Sequence, residues 1–402
     1  MLWTSTLRTK AYSFLRKRKK ATETSVVAYD TLTPPRWTAP TYKSLANEGF
    51  RGNVIAYRCI SLISRCVASV ALTAKIGEVP IDAKHPLQRL LEAPNERQSR
   101  TSFIETLTSH LLLSGNSYVE ATYGPEEMPI ALFALRPDRI SISTSASGRV
   151  SYIYEVNGKQ LTLPSTGEDY EITKAQALLL HLKFFNPLDD WYGMSPLEAA
   201  ARSIDQHNAV SGHNLALLQN GGRPSGCLIV KSPHGGLTEE QRTVLRTQVR
   251  ENYEGKANAG KILVLEGDFE WKEMGLSLKD MDFISGKKLS AREIAQAFGV
   301  PPMFVGVPGD ATFSNYKEAR FHLWEDTILP ILDLIVAELS GWLAPKFGQD
   351  ISIGYNPDAI PALAARREAI WTRVAQATFL TCNEQRAALG YPPLPGGDEL
   401  HL

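Results

Sequence analysis

The stretch from Ser277 to Leu343 constrains the fold most strongly, because it predicts two patterned helices separated by a long loop. The first helix is expected to end at Gly299, since Pro301 and Pro302 prevent its continuation. The second repeats apolar residues every three or four positions and contains Pro330, which we expect to kink it. Loops of about a dozen residues are uncommon in compact domains and are usually functional or disordered. We therefore expect this loop to be functional.

Size and charge restrict the class of protein. The chain has 402 residues, 43% of them hydrophobic, which is enough for substantial cores in two or three domains. Its 43 basic and 43 acidic residues balance, which argues against a protein that coats nucleic acid over its whole surface. Seven basic residues between Arg8 and Lys20 precede the first acidic residue, Glu23. This region is either a solvated tail or an arm that touches nucleic acid or a partner.

The sequence predicts no targeting or membrane-spanning segment. The basic N-terminal run is not followed by the apolar segment of a secretory signal, and we find no stretch of about 18 apolar residues. Cys59 and Cys66 stand two helical turns apart, too far for a disulfide within one helix, and no CxxC pair occurs. We expect reduced thiols in the core of a cytoplasmic protein.

The order of predicted elements indicates an α+β body followed by two long helices around a small insert. Residues 1–48 lack periodicity and should form a flexible basic arm. Residues 50–190 combine amphipathic helices with short alternating strands, and Asn157–Gly158 is the clearest hairpin turn. Ser195 begins a long helix with a narrow apolar seam, typical of packing against one neighbour. The βαββ pattern of Cys227–Lys272 follows, so the helices on either side of it should lie side by side.

Enzyme signatures are absent or incomplete. Neither GxxxxGK[ST] nor GxGxxG occurs, so no nucleotide-binding loop is predicted. Gly193–Leu197 resembles a nucleophile elbow but lacks the last glycine, and Ser195 already serves as a helix cap. Ser285–Lys288 fits S-x-x-K, but the SDN and KTG partner motifs are missing. We therefore predict no catalytic residue.

Metal ligands are not predicted either. His207 and His213 fall on different faces of one helix, which makes a shared metal unfavourable. Asp189 and Asp190 precede a helix start, an ordinary place for two exposed acids. The chain is thus expected to be a part of an assembly, with no metal and no cofactor.

Five short stretches, each common alone, stand in a specific order and spacing. They are Ala56–Ile60, Ser114–Tyr118, Gly193–Leu197, Ile294–Pro302 and Ala311–Asn315. Together they resemble the portal proteins of tailed bacteriophages, in the HK97-type branch found in phages, prophages and gene transfer agents. The resemblance covers roughly Gly52–Leu343, with a weaker match at Thr381–Arg386.

The resemblance implies an α+β, helix-rich portal fold and a ring, usually of twelve subunits, that closes through heterologous contacts at one capsid vertex. Double-stranded DNA would enter and leave through its channel. The implied parts are a basic N-terminal arm (1–48), a wing (49–192), a two-helix stem (193–222 and 276–300), a small βαββ clip (223–275), a tunnel loop (301–315), a long kinked helix (316–345), and the wing end with a small helical crown (346–402).

The resemblance also implies the residues that contact DNA and partners. The tunnel-loop residues are Phe304, Val305, Gly306, Val307, Pro308, Gly309, Asp310, Ala311, Thr312 and Phe313. A loop with a single charge suits a steric grip, because a strongly basic lining would trap the duplex. Lys287, Lys288 and Arg292 either face the channel or lie on a solvated outer face or in inter-subunit salt bridges. The clip residues expected to dock partners are Glu239, Glu240, Arg242, Arg246 and Arg250.

The implied partners are further copies of the chain, the terminase large subunit, the head-tail adaptor and the major capsid protein, without a membrane. The portal would be assembled in the cytoplasm of a bacterial host and reside in the virion at the portal vertex. Two alternatives stay open from the residues alone. One is another ring-forming head-tail connector, a class whose chains are usually much shorter. The other is a hydrolase whose site is not recognised.

Overall fold

The computed structural model of the chain describes residues 38–77, 79–124, 128–144, 150–164, 179–219, 226–230, 238–241, 243–244, 247, 269–273, 283–307 and 313–399. All of these residues belong to one compact unit. The helices of the described part are α1 (Tyr42–Ser44), α2 (Val54–Ser69), α3 (Pro86–Glu92), α4 (Arg100–Ser114), α5 (Pro196–Ala199), α6 (Ala201–Gln219), α7 (Phe283–Ala297), α8 (Phe313–His322), α9 (Leu329–Leu343), α10 (Ala364–Ala375) and α11 (Cys382–Ala388). Two π-helical segments adjoin them, Leu45–Arg51 and Leu323–Ile328.

The strands form small antiparallel sheets. They are β1 (Leu72–Ile76), β2 (Val79–Pro80), β3 (Asn116–Tyr123), β4 (Pro129–Leu135), β5 (Ile140–Thr144), β6 (Val150–Val156), β7 (Lys159–Pro164), β8 (Leu179–Lys183), β9 (Gly226–Val230), β10 (Phe269–Glu273) and β11 (Ile351–Tyr355). The strand orders are β11-β1-β2, β4-β3-β8, β5-β6-β7 and β10-β9. This mixture of helices and small sheets confirms the predicted α+β class.

The helix α2 is the centre of the body. Asn53 caps it, because Asn53 Oδ1 accepts hydrogen bonds from the amides of Ile55 and Ala56 at 3.0 and 3.1 Å. Its apolar side, including Cys59 and Ile63, is fully buried and packs against α4. The thiol of Cys59 is free, as the sequence predicts for a core cysteine.

The turn between β6 and β7 has the geometry that Asn-Gly favours. Asn157 has φ of +53° and Gly158 has φ of +76°, and Val156 pairs with Lys159 on either side of them. Positive φ at both central residues is the requirement of a type I′ hairpin turn. The predicted hairpin is confirmed.

The long helix behind the loop begins earlier than predicted. Its first residue is Phe313, not Tyr316, so the end of the predicted loop 301–315 is already helical. Pro330 stands in the first turn of α9, just after the π-helical segment Leu323–Ile328. The wider π turn adjusts the helix at the place where proline supplies no N–H.

The same helix qualifies by length and composition as a membrane span. Over Asn315–Lys346 it has 32 residues, with a window of mean hydropathy 1.6. The sequence expectation concerned an unbroken run of about 18 apolar residues, and acidic residues such as Asp326 and Asp333 interrupt such a run in this helix. Half of the window is buried, and Leu332, Ile335 and Trp342 lie in the core. Burial inside the body accounts for the apolar character of this helix.

The flexible arm predicted for residues 1–48 extends too far, because residues from Thr38 onward already pack on the body. The Thr38 amide donates a 2.8 Å hydrogen bond to Asp205 Oδ2 on α6, and Leu45 is buried in the core. Gly49 faces Leu197, and a Cβ at Gly49 would come within 2.8 Å of that side chain. The segment escaped prediction because a π-helical turn lacks the 3.6-residue periodicity. Residues 1–37 lie outside the described part.

The C-terminal region contains more helix than predicted. Its strand, β11, pairs with β1, so this part of the C-terminal region belongs to the sheet of the body. The sequence pattern of residues 346–402 predicts one strand and one helix, Pro361–Ala377, and that helix is present as α10 over Ala364–Ala375. A further helix, α11, begins with a capping box in which Thr381 and Glu384 exchange hydrogen bonds.

Candidate functional site

Two helices leave and return to the body side by side, as predicted. The helices α6 and α7 pack along each other, and Ile204 and Ile294 are buried in their shared seam. Ser203 Oγ donates a 2.7 Å hydrogen bond to Glu293 Oε2 across the pair. Most of the remaining surface of α6 is polar or small, so one face is packed and the other is open to further partners.

The first of these helices is tied to the body at its start. Ser195 Oγ accepts hydrogen bonds from the amides of Leu197 and Glu198, and the same hydroxyl donates to Leu112 O at 3.0 Å. The predicted cap is confirmed. A buried hydroxyl held by three partners is a structural group, so Ser195 is not the nucleophile of an elbow.

The second helix ends in a Schellman motif at Gly299. The Gly299 amide donates to Gln296 O and the Val300 amide donates to Ala295 O, both at 2.9 Å. Gly299 has φ of +65°, which favours glycine. Thr327 Oγ1 on the long helix donates to Gly299 O at 2.8 Å, so the end of α7 is anchored to the long helix. The predicted stop before Pro301 is confirmed.

The predicted tunnel loop starts as an anchored turn. Pro302–Val305 form a 3-10 turn that Gly306 ends with φ of +77°. Phe304 packs edge-on against Tyr316 with ring centroids 5.1 Å apart. Arg58 Nε donates to Phe304 O at 3.2 Å.

The described part of this loop is therefore held against the body. Phe304, Val305 and Val307 are half-buried against the core, and Gly306 is exposed. Pro308, Gly309, Asp310, Ala311 and Thr312 lie outside the described residues, and of Phe313 only the helical backbone is described.

The three predicted channel cations on α7 do not share one environment. Lys287 is half-buried and lies near His207 on α6. The pKa of His207 is lowered mainly by its own burial and further by the Lys287 ammonium. Lys288 and Arg292 are exposed and stand one helical turn apart on a common face. Arg292 also lines a cavity of about 560 Å³ together with Asp326 of the long helix. Lys288 and Arg292 thus lie on an exposed face of α7, whereas Lys287 does not.

The insert between the two helices is described in part. Strands β9 and β10 pair antiparallel, with Gly226 opposite Glu273 at one end and Val230 opposite Phe269 at the other. Thr238 Oγ1 accepts a hydrogen bond from the Gln241 amide, and Gln241 Oε1 accepts one from the Thr238 amide. This is the capping box that the sequence Thr238-Glu-Glu-Gln241 favours at a helix start. Glu239 and Glu240 are exposed in the first turn that follows. The strand predicted at Lys261–Leu265 and the docking residues Arg242, Arg246 and Arg250 lie outside the described residues.

The sequence did not predict the junction between the body and the two long helices. Asn116 exchanges hydrogen bonds with Gly193, and Asn53 Nδ2 donates to Asn208 Oδ1 at 2.9 Å. These pairs join residues far apart in the chain, so no local spacing reveals them. Their only sequence sign is the presence of Asn116 and Gly193 within two of the stretches that resemble portal proteins.

Within the described part of the chain, no group of three histidine, cysteine or acidic side chains could hold a metal ion. His207 and His213 are not brought to one site: His207 faces Asn53 of the body at 3.2 Å, and His213 is exposed. Asp189 accepts hydrogen bonds from the Trp191 and Tyr192 amides, which lower the pKa of its carboxyl. His207 and Asp189 are thus engaged in hydrogen bonds within the chain.

The chain matches a protein-family model and curated proteins over most of its length. The family model is described as "Phage portal protein" and matches residues 55–390. An uncharacterized protein of Rickettsia bellii is 42% identical over 359 residues, 88% of this chain and 90% of that protein. The portal protein of Enterobacteria phage HK97 is 26% identical over 357 residues, 85% of this chain and 79% of that protein.

Solved structures of particle necks are similar as well. The "Neck of empty GTA particle computed with C6 symmetry" contains a chain 40% identical to this one, with a TM-score of 0.67, covering 90% of this chain and 96% of that chain. The "Neck of native GTA particle computed with C12 symmetry" gives 39% identity and a TM-score of 0.66 over the same shares. Proteins of the matching family are structural parts of particles and not enzymes. The chain belongs to the phage portal protein family.

Proposed function

We propose that copies of this chain form a ring at one capsid vertex, with a channel through which double-stranded DNA is packaged and ejected. The observation that carries this proposal is the pair α6 and α7, which are packed on each other and rooted in the body at Gly193 and Gly299. The similarity of this chain to a chain of a GTA particle neck solved with C12 symmetry supports a ring of about twelve copies. The rival head-tail connector has less support, since the portal family model covers residues 55–390.

We assign the parts of the ring from the same observations. The body up to residue 192 would be the wing, α6 and α7 the stem, and the unit with β9 and β10 the clip. The long helix α8–α9 would connect the tunnel loop to the wing, and α10 and α11 would form the small crown. The clip, through exposed groups such as Glu239 and Glu240, would meet the terminase large subunit and later the head-tail adaptor. The wing would contact the major capsid protein in the assembled virion.

The proposed DNA-contacting segment is the loop Phe304–Phe313. Because Phe304, Val305 and Val307 are held on the body, the part that reaches the duplex would be Pro308–Thr312. Asp310 is the only charge there, so the contact would be steric and would not trap DNA. Lys288 and Arg292, exposed on one face of α7, would supply a limited number of cations to the same channel.

A packaging experiment tests this proposal. Cells that produce particles and lack their own portal gene would be supplied with the full chain, with a variant lacking Pro308–Thr312, or with the matched variant Asp310→Asn. The deletion should leave ring assembly intact, as judged by microscopy, and strongly reduce the yield of DNA-filled particles, whereas Asp310→Asn should package DNA like the original chain. Normal packaging by the deletion variant would overturn the assignment of the loop.

A further inference from the structure

We propose that a loop before the stem helix docks into an arginine-lined cavity of the neighbouring copy. This loop, the 185–191 loop, runs from Phe185 to Trp191. The cavity lies between α2, the helix α8 with the π-helical segment that follows it, and the segment after β11. The inference rests on the proposed ring, which requires two different and complementary patches on each copy.

The cavity is large, cationic and partly apolar. Its volume is about 770 Å³, and Arg58, Arg65 and Arg320 line it together with apolar groups such as Trp324 and Ile360. No aspartate or glutamate belongs to the lining among the described residues. Arginine side chains on an apolar wall suit a ligand with carboxylates beside apolar groups.

The charge in the cavity is only partly compensated within one chain. Arg65 pairs with Glu105 at 3.3 Å at the exposed rim, and Arg58 donates to the backbone oxygen of Phe304. Arg320 makes no ion pair with any residue of the described part. A partially uncompensated guanidinium group at a recess is a favourable place for an incoming carboxylate.

The 185–191 loop has the complementary chemistry. Leu188 and Phe185 are 94% and 85% exposed, the highest values for large hydrophobic side chains in the described part of the chain. Asp189 and Asp190 stand directly beside Leu188. Exposed apolar groups next to carboxylates mark an interaction surface better than either feature alone.

The loop is also preorganised. The Leu188 amide donates to Asn186 Oδ1, and Asn186 Nδ2 donates to Tyr192 O, both at 3.0 Å. Asp189 Oδ1 accepts from two amides at the other end of the loop, and Lys183 Nζ donates to Asp190 O. Because its shape is fixed before contact, docking of the loop costs little conformational entropy.

The cavity suits a protein segment better than DNA. An intact duplex is too wide for a recess of this size, and its bases and sugars would not reach the apolar wall around Trp324. Three arginines holding phosphates would also slow a duplex that has to move. A short loop with two carboxylates and a leucine fits both the charge and the apolar wall.

Disulfide trapping tests the docking in the full-length protein. Cys66 lines the cavity and its thiol is free. The variant Leu188→Cys would be oxidised at mildly alkaline pH, because burial raises the pKa of the Cys66 thiol. Disulfides between Leu188→Cys of one copy and Cys66 of the next should give a ladder of covalent oligomers up to the ring size on non-reducing gels.

Two matched variants control the trapping. Leu188→Cys combined with Cys66→Ser should give no ladder, and Ile130→Cys, at a side chain 62% exposed on β4, should give none either. If rings form but Leu188→Cys yields no more cross-linking than these controls, the docking is wrong while the ring stands. If the unmodified chain forms no rings, the proposed function itself fails.

A charge exchange supplies a second readout. Arg320→Glu and Asp190→Arg should each lower the fraction of chain in rings, measured by native mass spectrometry. The double variant should recover rings, because the two opposite charges are restored across the contact. Equal ring fractions in all four proteins would contradict the assignment.

Discussion

Asn116 and Gly193 exchange two hydrogen bonds: the Gly193 amide donates to Asn116 Oδ1 at 2.8 Å, and Asn116 Nδ2 donates to Gly193 O at 3.2 Å. The pair joins the first residue of β3 to the segment that begins the α5–α6 helix. His181 Nε2 donates to the same Asn116 Oδ1 at 2.9 Å, so β8 enters the same network. One buried amide group thus joins β3, β8 and the segment before the proposed stem in a single hydrogen-bond network.

Gly193 has no room for a side chain. A Cβ there would lie 2.2 Å from Gly115 O and 2.8 Å from both the backbone N and the backbone O of Phe184. Gly193→Ala should therefore lower the free energy of unfolding by about 3 kcal/mol. Chemical denaturation followed by circular dichroism measures this change.

Gly212→Ala is the matched control for Gly193→Ala. Gly212 lies within α6, and a Cβ there would meet nothing within 4 Å. That substitution should stabilise the protein by roughly 0.5–1 kcal/mol through helix propensity. Equal stabilities of the two variants would show that the close approach at Gly193 is not required.

Thr327 connects the end of α7 to the long helix. Thr327→Val keeps the shape but removes the hydroxyl that donates to Gly299 O, so the free energy of unfolding should fall by about 1 kcal/mol. Thr372→Val removes a hydroxyl that bonds to Glu368 O within the exposed helix α10 and should change stability by less than about 0.5 kcal/mol. Thermal unfolding of both variants gives the comparison. A Thr327→Val protein as stable as the original chain would show that the hydrogen bond to Gly299 O does not stabilise the fold.

His181 should make the body sensitive to acid. Burial lowers the pKa of His181 to about 3, with Lys183 as a smaller cause, whereas the usual value is about 6.5. Below about pH 6.5 the unfolded chain binds a proton that the folded chain does not, so this stability contribution is present at higher pH and is lost as pH falls. At about pH 5 the loss is of the order of 2 kcal/mol.

Replacing His181 alone isolates this effect. His181→Gln should reduce the difference in unfolding free energy between about pH 7.5 and pH 5 by roughly 2 kcal/mol relative to the original chain. His110→Gln provides an independent second site, because burial lowers the pKa of His110 to about 4 and Tyr42 bonds to its ring. If both variants keep the pH dependence of the original chain, the two histidines are not buried in neutral form.

Local chemistry made several elements predictable from the sequence. Asn157–Gly158 permits the positive φ values of its hairpin turn, Ser195 caps a helix, and Gly299 ends one before two prolines. Each of these features depends on residues that are neighbours in the chain. The family resemblance added what spacing alone does not supply, namely the order of the parts and the portal function.

Structural features that depend on long-range contacts could not be predicted from the sequence. The strand β4 is an apolar run whose state is decided by pairing with β3, and the π-helical turn Leu45–Arg51 has no simple period. The early start of the long helix at Phe313 and the docking of Phe304 on Tyr316 depend on the folded body. The arginine cavity joins Arg58 to Arg320, more than two hundred residues apart, through tertiary structure alone.

The size and symmetry of the purified protein test the central claim most directly. Negative-stain microscopy and native mass measurement of the full chain should show closed rings with a central hole, and twelve copies of a 44.4 kDa chain would weigh about 530 kDa. Protein that stays monomeric, or that forms open filaments without closing, under conditions where it is folded would contradict the account.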